Sequence, residues 1–300
     1  MDAQAPRLAA LLADWRPRLT PLPDKPQETA DATLRTLWQL ACGRALSLEA
    51  ALEAGALPPL DAAAEQRLHD LLTRRASGVP LAHLTGRQRF MGLDMLAGPA
   101  ALIPRTETEL LGNAALALVR EQVARTGTAT VIDVCTGSGN LALAIARHAP
   151  AARVQASDLS TDAVELARRN AEFLGVASRV DLRAGDLLEP FDEPAFHAQV
   201  DVLICNPPYI SSGKVDTMHH EISAFEPRLA FDGGPLGVRI LQRLIREAPR
   251  FLAPRGWLAF EVGEGQGPAV MRRLEVGGVF RQQRSVRDAR GEIRAIVASR

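Results

Sequence analysis

The pattern of hydrophobic and polar positions changes near Thr128. Over residues 9–76, apolar side chains recur at helical spacing, as Leu34, Leu37 and Trp38 do on one face of a predicted helix. After Thr128, short runs of β-branched and aliphatic residues alternate with helical segments. Alternating strands and helices predict right-handed crossovers and a mostly parallel sheet. We therefore expect a small helical bundle followed by an α/β domain.

The same pattern places the individual elements. Asp61 is a candidate N-cap for a helix over residues 62–76, and short strands forming a hairpin are expected within residues 79–109. The α/β part is predicted to contain strands 129–134, 153–156, 179–184, 200–205 and 256–262, helices 110–124, 141–148, 161–174 and 238–252, and a closing antiparallel hairpin of residues 279–284 and 293–298. The expected domains are a helical domain over residues 1–78, a connecting hairpin over 79–109 and a Rossmann-like domain over 110–300.

A tetrapeptide with two prolines follows the predicted strand 200–205. Its sequence is Asn206-Pro207-Pro208-Tyr209. Because proline cannot donate to a sheet ladder, the tetrapeptide lies at the strand's carboxyl end, the edge where open α/β sheets bind ligands. The Asn206 side-chain carbonyl and the Pro207 backbone carbonyl are acceptors that suit a planar NH2 group, and the Tyr209 ring can cover its flat face. Taken alone, the motif is also explained as a Pro-Pro turn with an Asx cap.

Three further strand ends carry features of a nucleoside site. Gly137, Ser138 and Gly139 form a loop of small residues before a helix N-terminus, where backbone N–H groups favour negative charge. Asp158, about twenty positions on, can accept ribose hydroxyls, and Asp186 can receive the exocyclic NH2 of an adenine. Each acid alone could be a solvated strand end or a helix cap. Together, at successive strand ends, the three features favour an adenosine site.

The glycine loop differs from two common nucleotide-binding loops. It lacks the third glycine of the dinucleotide fingerprint, since Asn140 follows Gly139 directly, and no Lys-Ser/Thr pair is present for a triphosphate. A nucleoside cofactor without a diphosphate fits better, which leads to S-adenosylmethionine. The residues themselves therefore predict cofactor contacts at Gly137, Ser138, Gly139, Asp158 and Asp186.

Taken together, these motifs resemble the class I methyltransferases that modify the side-chain amide of glutamine, and most closely the release-factor glutamine N5-methyltransferase family. The resemblance extends from about residue 30 to the C-terminus. Besides the tetrapeptide, it rests on Asp158 and on residues 80–86, 90–92, 103–109, 133–139, 185–186, 225–230 and 232–234. The tetrapeptide also occurs in enzymes that methylate adenine or cytosine, so the flanking segments are more specific. Cys135 stands where many relatives have glycine, and Thr106 where proline is usual.

The resemblance implies a class I methyltransferase fold, S-adenosylmethionine as methyl donor with S-adenosylhomocysteine as product, and a peptide chain release factor as protein substrate. It also implies that the N-terminal helical bundle contacts that substrate. Phe90 is implied near the cofactor, with Arg105 as a supporting cofactor residue. Further cofactor contacts implied at the strand ends are Cys135, Thr136, Leu187 and Asn206. The implied catalytic and substrate-binding residues are Asn206, Pro207, Pro208, Tyr209 and Glu226.

Amide chemistry then suggests a mechanism. An amide nitrogen is a poor nucleophile because its lone pair is delocalised, and the sequence offers no evident Cys/His or metal pair to activate it. Acceptance of its two N–H groups by Asn206 and Pro207 would align the nitrogen with the methyl group. We therefore expect positioning and preorganised dipoles to supply most of the rate enhancement.

Composition narrows the class of protein. The chain has 300 residues with 35 basic and 35 acidic side chains, a balance that argues against holding duplex nucleic acid mainly by phosphate neutralisation. Cys42, Cys135 and Cys205 are widely spaced and follow no metal-ligand pattern, so we expect reduced thiols, no metal and a cytoplasmic location. Residues 1–7 show no leader pattern, and no apolar run reaches membrane-spanning length.

Three other functions remain open at this level. The tetrapeptide also permits an amino-methyltransferase acting on nucleic acid, although zero net charge and the lack of a recognisable target-recognition domain weigh against it. The loosely matching N-terminal region leaves room for a small metabolite or peptide as the acceptor. A binding or assembly module that keeps cofactor affinity without turnover is the last alternative, and the intact tetrapeptide argues against it.

Overall fold

The computed structural model describes residues 4–300, which form two compact units. The helical unit contains the chain up to Pro99 and also His219–Glu226. The sheet unit contains Ala100–Met218 and Pro227–Arg300. Residues 1–3, part of the segment in which no leader is expected, lie outside the described residues. A short segment from the second half of the sequence therefore belongs to the helical unit.

The α-helices and strands follow in chain order. The helices are α1 (Ala5–Trp15), α2 (Ala30–Ala41), α3 (Leu48–Glu53), α4 (Ala62–Ala76), α5 (Leu81–Thr85), α6 (Thr108–Thr126), α7 (Asn140–His148), α8 (Thr161–Phe173), α9 (Ser212–Val215), α10 (His220–Phe225), α11 (Arg239–Phe251) and α12 (Gly267–Gly277). The strands are β1 (Arg87–Phe90), β2 (Leu93–Leu96), β3 (Ala129–Val134), β4 (Ala152–Asp158), β5 (Val180–Ala184), β6 (Val200–Cys205), β7 (Leu252–Glu261), β8 (Gln282–Arg287) and β9 (Ile293–Ser299). Short 3-10 helices lie at Arg16–Arg18, Ala177–Arg179, Glu189–Phe191 and Arg228–Ala230.

The helical unit buries the apolar stripe that its sequence predicts. Leu34, Leu37 and Trp38 of α2 have no exposed surface, and they share a core with Leu68 and Leu72 of α4. A helix with one apolar face must cover that face, and two such helices can cover each other. The predicted amphipathic helix is therefore confirmed, and it forms the centre of this unit.

The turns of the helical unit also follow the predicted chemistry. The Asp61 carboxylate accepts a hydrogen bond from the backbone N–H of Ala64 at 2.6 Å, which confirms Asp61 as the N-cap of α4. Strands β1 and β2 pair antiparallel from Arg87 opposite Leu96 to Phe90 opposite Leu93. The hairpin expected within residues 79–109 is therefore confirmed.

The sheet unit is built on seven strands in the order β5-β4-β3-β6-β7-β9-β8. Strands β3 to β7 pair in parallel, whereas β9 is antiparallel to both β7 and β8. Central strands are nearly continuous apolar runs, and in β6 the residues from Val202 to Cys205 are all buried. The mostly parallel sheet with an antiparallel C-terminal hairpin is confirmed.

Chain direction across the sheet creates a crevice between β3 and β6. From β3 the chain moves outward to β4 and β5, and it then crosses to β6 on the other side of β3. In open α/β sheets, ligands bind at such a reversal, outside the carboxyl ends of the strands. The loop after β3 begins at Cys135, and the loop after β6 begins at Asn206. The fold therefore brings both predicted motifs to the same edge.

Several elements differ from the sequence prediction; for example, strand β8 covers Gln282–Arg287 rather than residues 279–284. Strand β7 begins at Leu252 rather than near residue 256, because Leu252 pairs with Val200 before the register shifts and Trp257 pairs with Val202. Helix α12 was not predicted, and its Val270 and Leu274 pack into the core of the sheet unit. Its three buried residues, one of them Gly267, make a weaker periodic signal than the longer stripes elsewhere.

Candidate active site

A cavity in the sheet unit lies at the carboxyl edge of the parallel strands. Predicted site residues that line it are Arg105, Cys135, Thr136, Gly137, Asp158, Asp186, Leu187, Asn206 and Pro208. Within the described chain, four further predicted residues of this unit are not part of the lining: Ser138, Gly139, Pro207 and Tyr209. Phe90 and Glu226 belong to the helical unit, where both are buried. The structure thus gathers most of the predicted residues around one cavity.

The glycine loop after β3 requires left-handed backbone conformations. Gly137 has φ +56° and Gly139 has φ +82°, values that glycine adopts readily. Cys135 has φ +58° although it is not glycine, so its backbone is strained. A Cβ added at Gly139 would lie 2.9 Å from Leu143 of α7. Gly139 therefore allows close packing of the loop on the helix, while Gly137 faces the cavity.

Asp158 at the end of β4 holds the glycine loop. Its Oδ2 accepts a hydrogen bond from the Gly137 backbone N–H at 2.8 Å, and its Oδ1 accepts one from the Ser160 N–H at 2.9 Å. Burial raises the pKa of Asp158, and backbone hydrogen bonds offset part of the rise. The acid predicted to meet a ribose therefore also ties β4 to the loop after β3.

A second buried acid, Asp133, supports the same loop from behind. Asp133 has no exposed surface and accepts hydrogen bonds from the Thr136 hydroxyl at 2.6 Å and the Ala142 N–H at 3.2 Å. Burial raises the pKa of Asp133 to about 7, and these two hydrogen bonds limit the rise. Asp133 was quoted in the family motif, but no role was predicted for it.

Asp186 follows β5 and is held by a cation. The Arg243 guanidinium of α11 donates to both carboxylate oxygens of Asp186, at 3.1 and 2.9 Å. The Asp186 carboxylate has further lone pairs, so an additional NH2 group can still bind there. No local sequence signal indicates this pairing, because Asp186 and Arg243 lie far apart along the chain.

The tetrapeptide after β6 is anchored by side chains from two other elements. The Asn206 amide nitrogen donates to the Thr108 hydroxyl of α6 at 3.2 Å. The Tyr209 hydroxyl donates to Oε1 of Glu261, at the end of β7, at 3.0 Å. Burial first, and then the Glu261 charge, raise the pKa of Tyr209, so its hydroxyl stays protonated. Tyr209 is thus oriented by Glu261, which sequence reasoning did not identify.

Glycines and a glutamine form a cradle around the tetrapeptide backbone. A Cβ added at Gly233 would lie 2.5 Å from the Pro208 carbonyl oxygen, and one at Gly237 would lie 2.3 Å from the Tyr209 carbonyl oxygen. The Gln266 side chain donates to the same Tyr209 carbonyl at 3.0 Å. The glycines after Asp232 are therefore required for close backbone approach.

The lining of the cavity fits a nucleoside cofactor. Carboxylates from Asp158 and Asp186 stand at adjacent strand ends, and the rest of the lining is largely apolar, including Leu102, Leu159 and Leu187. Hydroxyls and an amino group can bind the acids, while a purine ring can pack against the leucines. The two carboxylate acceptors and the apolar walls thus match the adenosine part of S-adenosylmethionine.

The three cysteines are free thiols, and the described residues show no cluster of metal ligands. Cys42, Cys135 and Cys205 are free, and burial first, then a side-chain hydrogen bond with Cys135, raises the pKa of Cys205 well above its usual value. Residues 4–300 contain no group of three or more His, Cys, Asp or Glu side chains that could hold a metal ion. In that same part of the chain, none of the helices has the length and apolarity needed to cross a bilayer.

Comparison with known proteins points to methyltransferases. The methyltransferase small domain family model matches residues 111–238. The release factor glutamine methyltransferase of Moorella thermoacetica is 40% identical over 79% of this chain and 81% of its own, and that of Geobacter sulfurreducens is 36% identical over 80% of each.

A solved human structure, described as a methyltransferase 10 domain containing protein, shares 18% identity and a TM-score of 0.52 over 77% of this chain and 96% of its own. This likeness concerns the fold alone, and it confirms the class I methyltransferase architecture. The identity and coverage of the two bacterial relatives decide the family. The chain belongs to the release factor glutamine methyltransferase family and is an S-adenosylmethionine-dependent methyltransferase.

Proposed function

We propose that this protein transfers a methyl group from S-adenosylmethionine to the side-chain amide nitrogen of a glutamine in a peptide chain release factor. Membership of the family supports this function. The observation that carries it is the Asn206 amide, whose nitrogen is engaged by Thr108 at 3.2 Å at the rim of the cavity. The Asn206 carbonyl oxygen is thereby left to accept from a substrate NH2 group.

In this proposal the protein contributes orientation rather than a general base. Bound S-adenosylmethionine supplies a methyl group on a positively charged sulfur, which is electrophilic without further activation. The Asn206 Oδ1 atom and the Pro207 carbonyl oxygen accept the two N–H groups of the substrate amide. These acceptors orient the nitrogen and stabilise the positive charge that develops on it. Pro208 and Tyr209 form walls of the acceptor pocket.

Cofactor binding is assigned to the edge formed by three strand ends. Asp158 accepts the ribose hydroxyls, and Asp186 with Leu187 contacts the adenine. The backbone of the glycine loop meets the methionine carboxylate, at the N-terminus of α7. The loop residues in this role are Cys135, Thr136, Gly137, Ser138 and Gly139.

Several roles follow from the family resemblance. Phe90 lies near the cofactor in this proposal, and Arg105 and Glu226 support the cofactor and substrate sites. The helical domain over residues 1–78 recognises the protein substrate, the segment 79–109 connects it, and residues 110–300 carry the chemistry. The reaction takes place in the cytoplasm, where release factors act.

The test is methyl transfer from isotopically labelled S-adenosylmethionine to purified release factors, followed by mass spectrometry of their peptides. We expect the label on a glutamine side chain. Asn206→Ala should abolish transfer while cofactor binding, measured by calorimetry, stays within about two-fold of wild type because Asn206 serves mainly the acceptor. Tight cofactor binding without label on any protein would contradict the proposal and favour nucleic acid, a metabolite or a non-enzymatic role.

A further inference from the structure

A buried carboxyl group lies behind the tetrapeptide. Glu261 ends β7 with only 2% of its surface exposed. Its Oε1 accepts the Tyr209 hydroxyl at 3.0 Å, and the Thr108 hydroxyl forms a side-chain hydrogen bond to the same carboxyl group. Thr108 also accepts from the Asn206 amide nitrogen at 3.2 Å. These contacts form a continuous chain of hydrogen bonds from Asn206 through Thr108 to Glu261.

The direction of this chain depends on the charge of Glu261. An ionised carboxylate can only accept, so the Thr108 hydroxyl must direct its single proton toward Glu261. The Thr108 oxygen then presents only lone pairs to Asn206, and the NH2 end of the Asn206 amide is the only end that can bond to it. An acceptor at Glu261 therefore determines which end of the Asn206 amide faces the cavity.

We propose that Glu261 is a positioning residue that fixes the orientation of the Asn206 amide through Thr108. With Glu261 ionised, the Asn206 carbonyl faces the acceptor site and receives an N–H of the substrate amide. When a donor at position 261 faces Thr108, the Thr108 hydroxyl turns toward Asn206, and the amide reverses. The Asn206 NH2 group then faces the substrate NH2 group, and because both are donors, no hydrogen bond forms between them. This inference rests on the proposed function for the identity of the substrate group.

The groups around Glu261 make this orientation sensitive to pH. Tyr209 and Thr108 donate to it as neutral hydroxyls, Arg294 is the nearby cation, and Glu107 is a nearby acid that pairs with Arg294 at 2.7 Å. Burial raises the pKa of Glu261 to about 7, and the hydroxyls and Arg294 limit the rise. Below this pH, protonation of the Glu261 oxygen that faces Thr108 supplies a donor there and reverses the chain.

Glu261→Gln is the direct test, because glutamine keeps the shape and adds a donor. We expect kcat for methyl transfer to fall by roughly 10- to 100-fold, less than loss of a direct transition-state contact. The KM for the release factor and the Kd for S-adenosylmethionine should stay within about two-fold of wild type. In wild type, kcat should rise with pH around a midpoint near pH 7, the pKa of Glu261, and Glu261→Gln should lack this step.

Matched variants separate positioning from packing. Thr108→Ser keeps the hydroxyl and should retain kcat, whereas Thr108→Val keeps the shape, breaks the chain and should lower kcat as Glu261→Gln does. Glu107→Gln removes a nearby carboxylate that is outside the chain. It should retain kcat at pH 8 and move the midpoint slightly downward, since the Glu107 charge raises the pKa of Glu261.

A measurement without turnover makes the inference independent of the substrate. The side-chain NH2 signals of Asn206 in nuclear magnetic resonance spectra, assigned with Asn206→Asp, should shift with a midpoint near pH 7 in wild type. They should not titrate in Glu261→Gln. Unchanged kcat in Glu261→Gln, or signals that titrate equally in both proteins, would overturn the inference. If wild type fails to methylate a release factor, the proposed function is wrong, and the Asn206 titration still decides the role of Glu261.

Discussion

Two glutamates, one in each unit, are buried to nearly the same degree, but their carboxyl pKa values shift in opposite directions. Glu221 of α10 is 3% exposed and Glu261 of β7 is 2% exposed. Glu221 contacts two cations, Lys25 at 3.1 Å and Arg75 at 2.7 Å, and Arg75 also pairs with Glu28 at 3.1 Å. Glu261 instead accepts from the neutral hydroxyl of Tyr209.

The pKa values of these two groups move in opposite directions. Burial alone would raise the pKa of Glu221, but the charges and hydrogen bonds of Arg75 and Lys25 outweigh it and lower the pKa. Burial raises the pKa of Glu261 to about 7 because hydroxyls compensate only part of the lost hydration. Equal burial therefore leaves one acid charged at neutral pH and the other able to change charge near neutral pH. The first ties α10 into the helical unit, and the second holds Tyr209 of the tetrapeptide.

The largest expected effect comes from removing the charge of the paired acid. Glu221→Gln leaves Lys25 buried without its anion and Arg75 with Glu28 alone, so the free energy of unfolding should fall by about 3–5 kcal/mol. Urea denaturation measures this loss. Asp31→Asn is the matched control, because Asp31 pairs with Arg35 at 2.8 Å on the surface and should cost less than about 1 kcal/mol. Equal losses in the two variants would contradict the distinction between buried and exposed pairs.

Asp158 extends the comparison to an acid that serves both structure and ligand. The Asp158 carboxylate accepts from the Gly137 N–H at 2.8 Å and is also the proposed acceptor for the ribose hydroxyls. Asp158→Ala removes both interactions. We expect S-adenosylmethionine binding to weaken by about 1–3 kcal/mol in calorimetry, the range for hydrogen bonds to charged groups. Asp181→Ala, which changes an exposed acid on β5, should bind as wild type does. An unchanged affinity in Asp158→Ala would refute its assignment.

The contributions of the two glutamates to the free energy of unfolding should change with pH in opposite directions. The lowered pKa of Glu221 gives stability that is present above its ordinary pKa of 4.5 and lost as the pH falls through the folded value. The raised pKa of Glu261 gives stability that is present below 4.5 and lost as the pH rises through about 7. Asp133 acts in the same direction as Glu261, because its pKa is also raised to about 7.

Urea unfolding between about pH 4 and pH 8 tests this difference. Glu261→Gln should gain about 3 kcal/mol relative to wild type over that interval, with Asp133 causing the remaining decline. In Glu221→Gln, the free energy of unfolding should instead fall less than in wild type as the pH is lowered toward 4. Parallel curves for all three proteins would show that neither acid has the pKa assigned to it.

Tyr209→Phe should have the smallest effect. It removes one neutral hydrogen bond to Glu261 and keeps the ring, so we expect a loss of about 1 kcal/mol in urea unfolding. Because that hydrogen bond lowers the pKa of Glu261, the pH midpoint for kcat should move upward. A loss as large as that of Glu221→Gln would mean that the hydroxyl carries more than this single contact.

Local sequence signals determined much of this protein before its tertiary structure was considered. The helical spacing of Leu34, Leu37 and Trp38 and the apolar run of β6 are confirmed as buried elements. Proline and glycine place the motifs at strand ends, since their backbone limits act within a few residues. The class of reaction and the cofactor followed from these motifs together with the family resemblance.

Only the tertiary structure decided which distant side chains meet behind those motifs. Glu261 reaches Tyr209, and Thr108 reaches Asn206, although each pair is separated by many residues along the chain. The placement of Glu221 in the helical unit is of the same kind. Burial and the identity of contacting partners set the charge of each acid, and neither quantity is encoded in a local pattern. The sequence therefore located the active site, whereas the packing of its strands and helices determined its electrostatics.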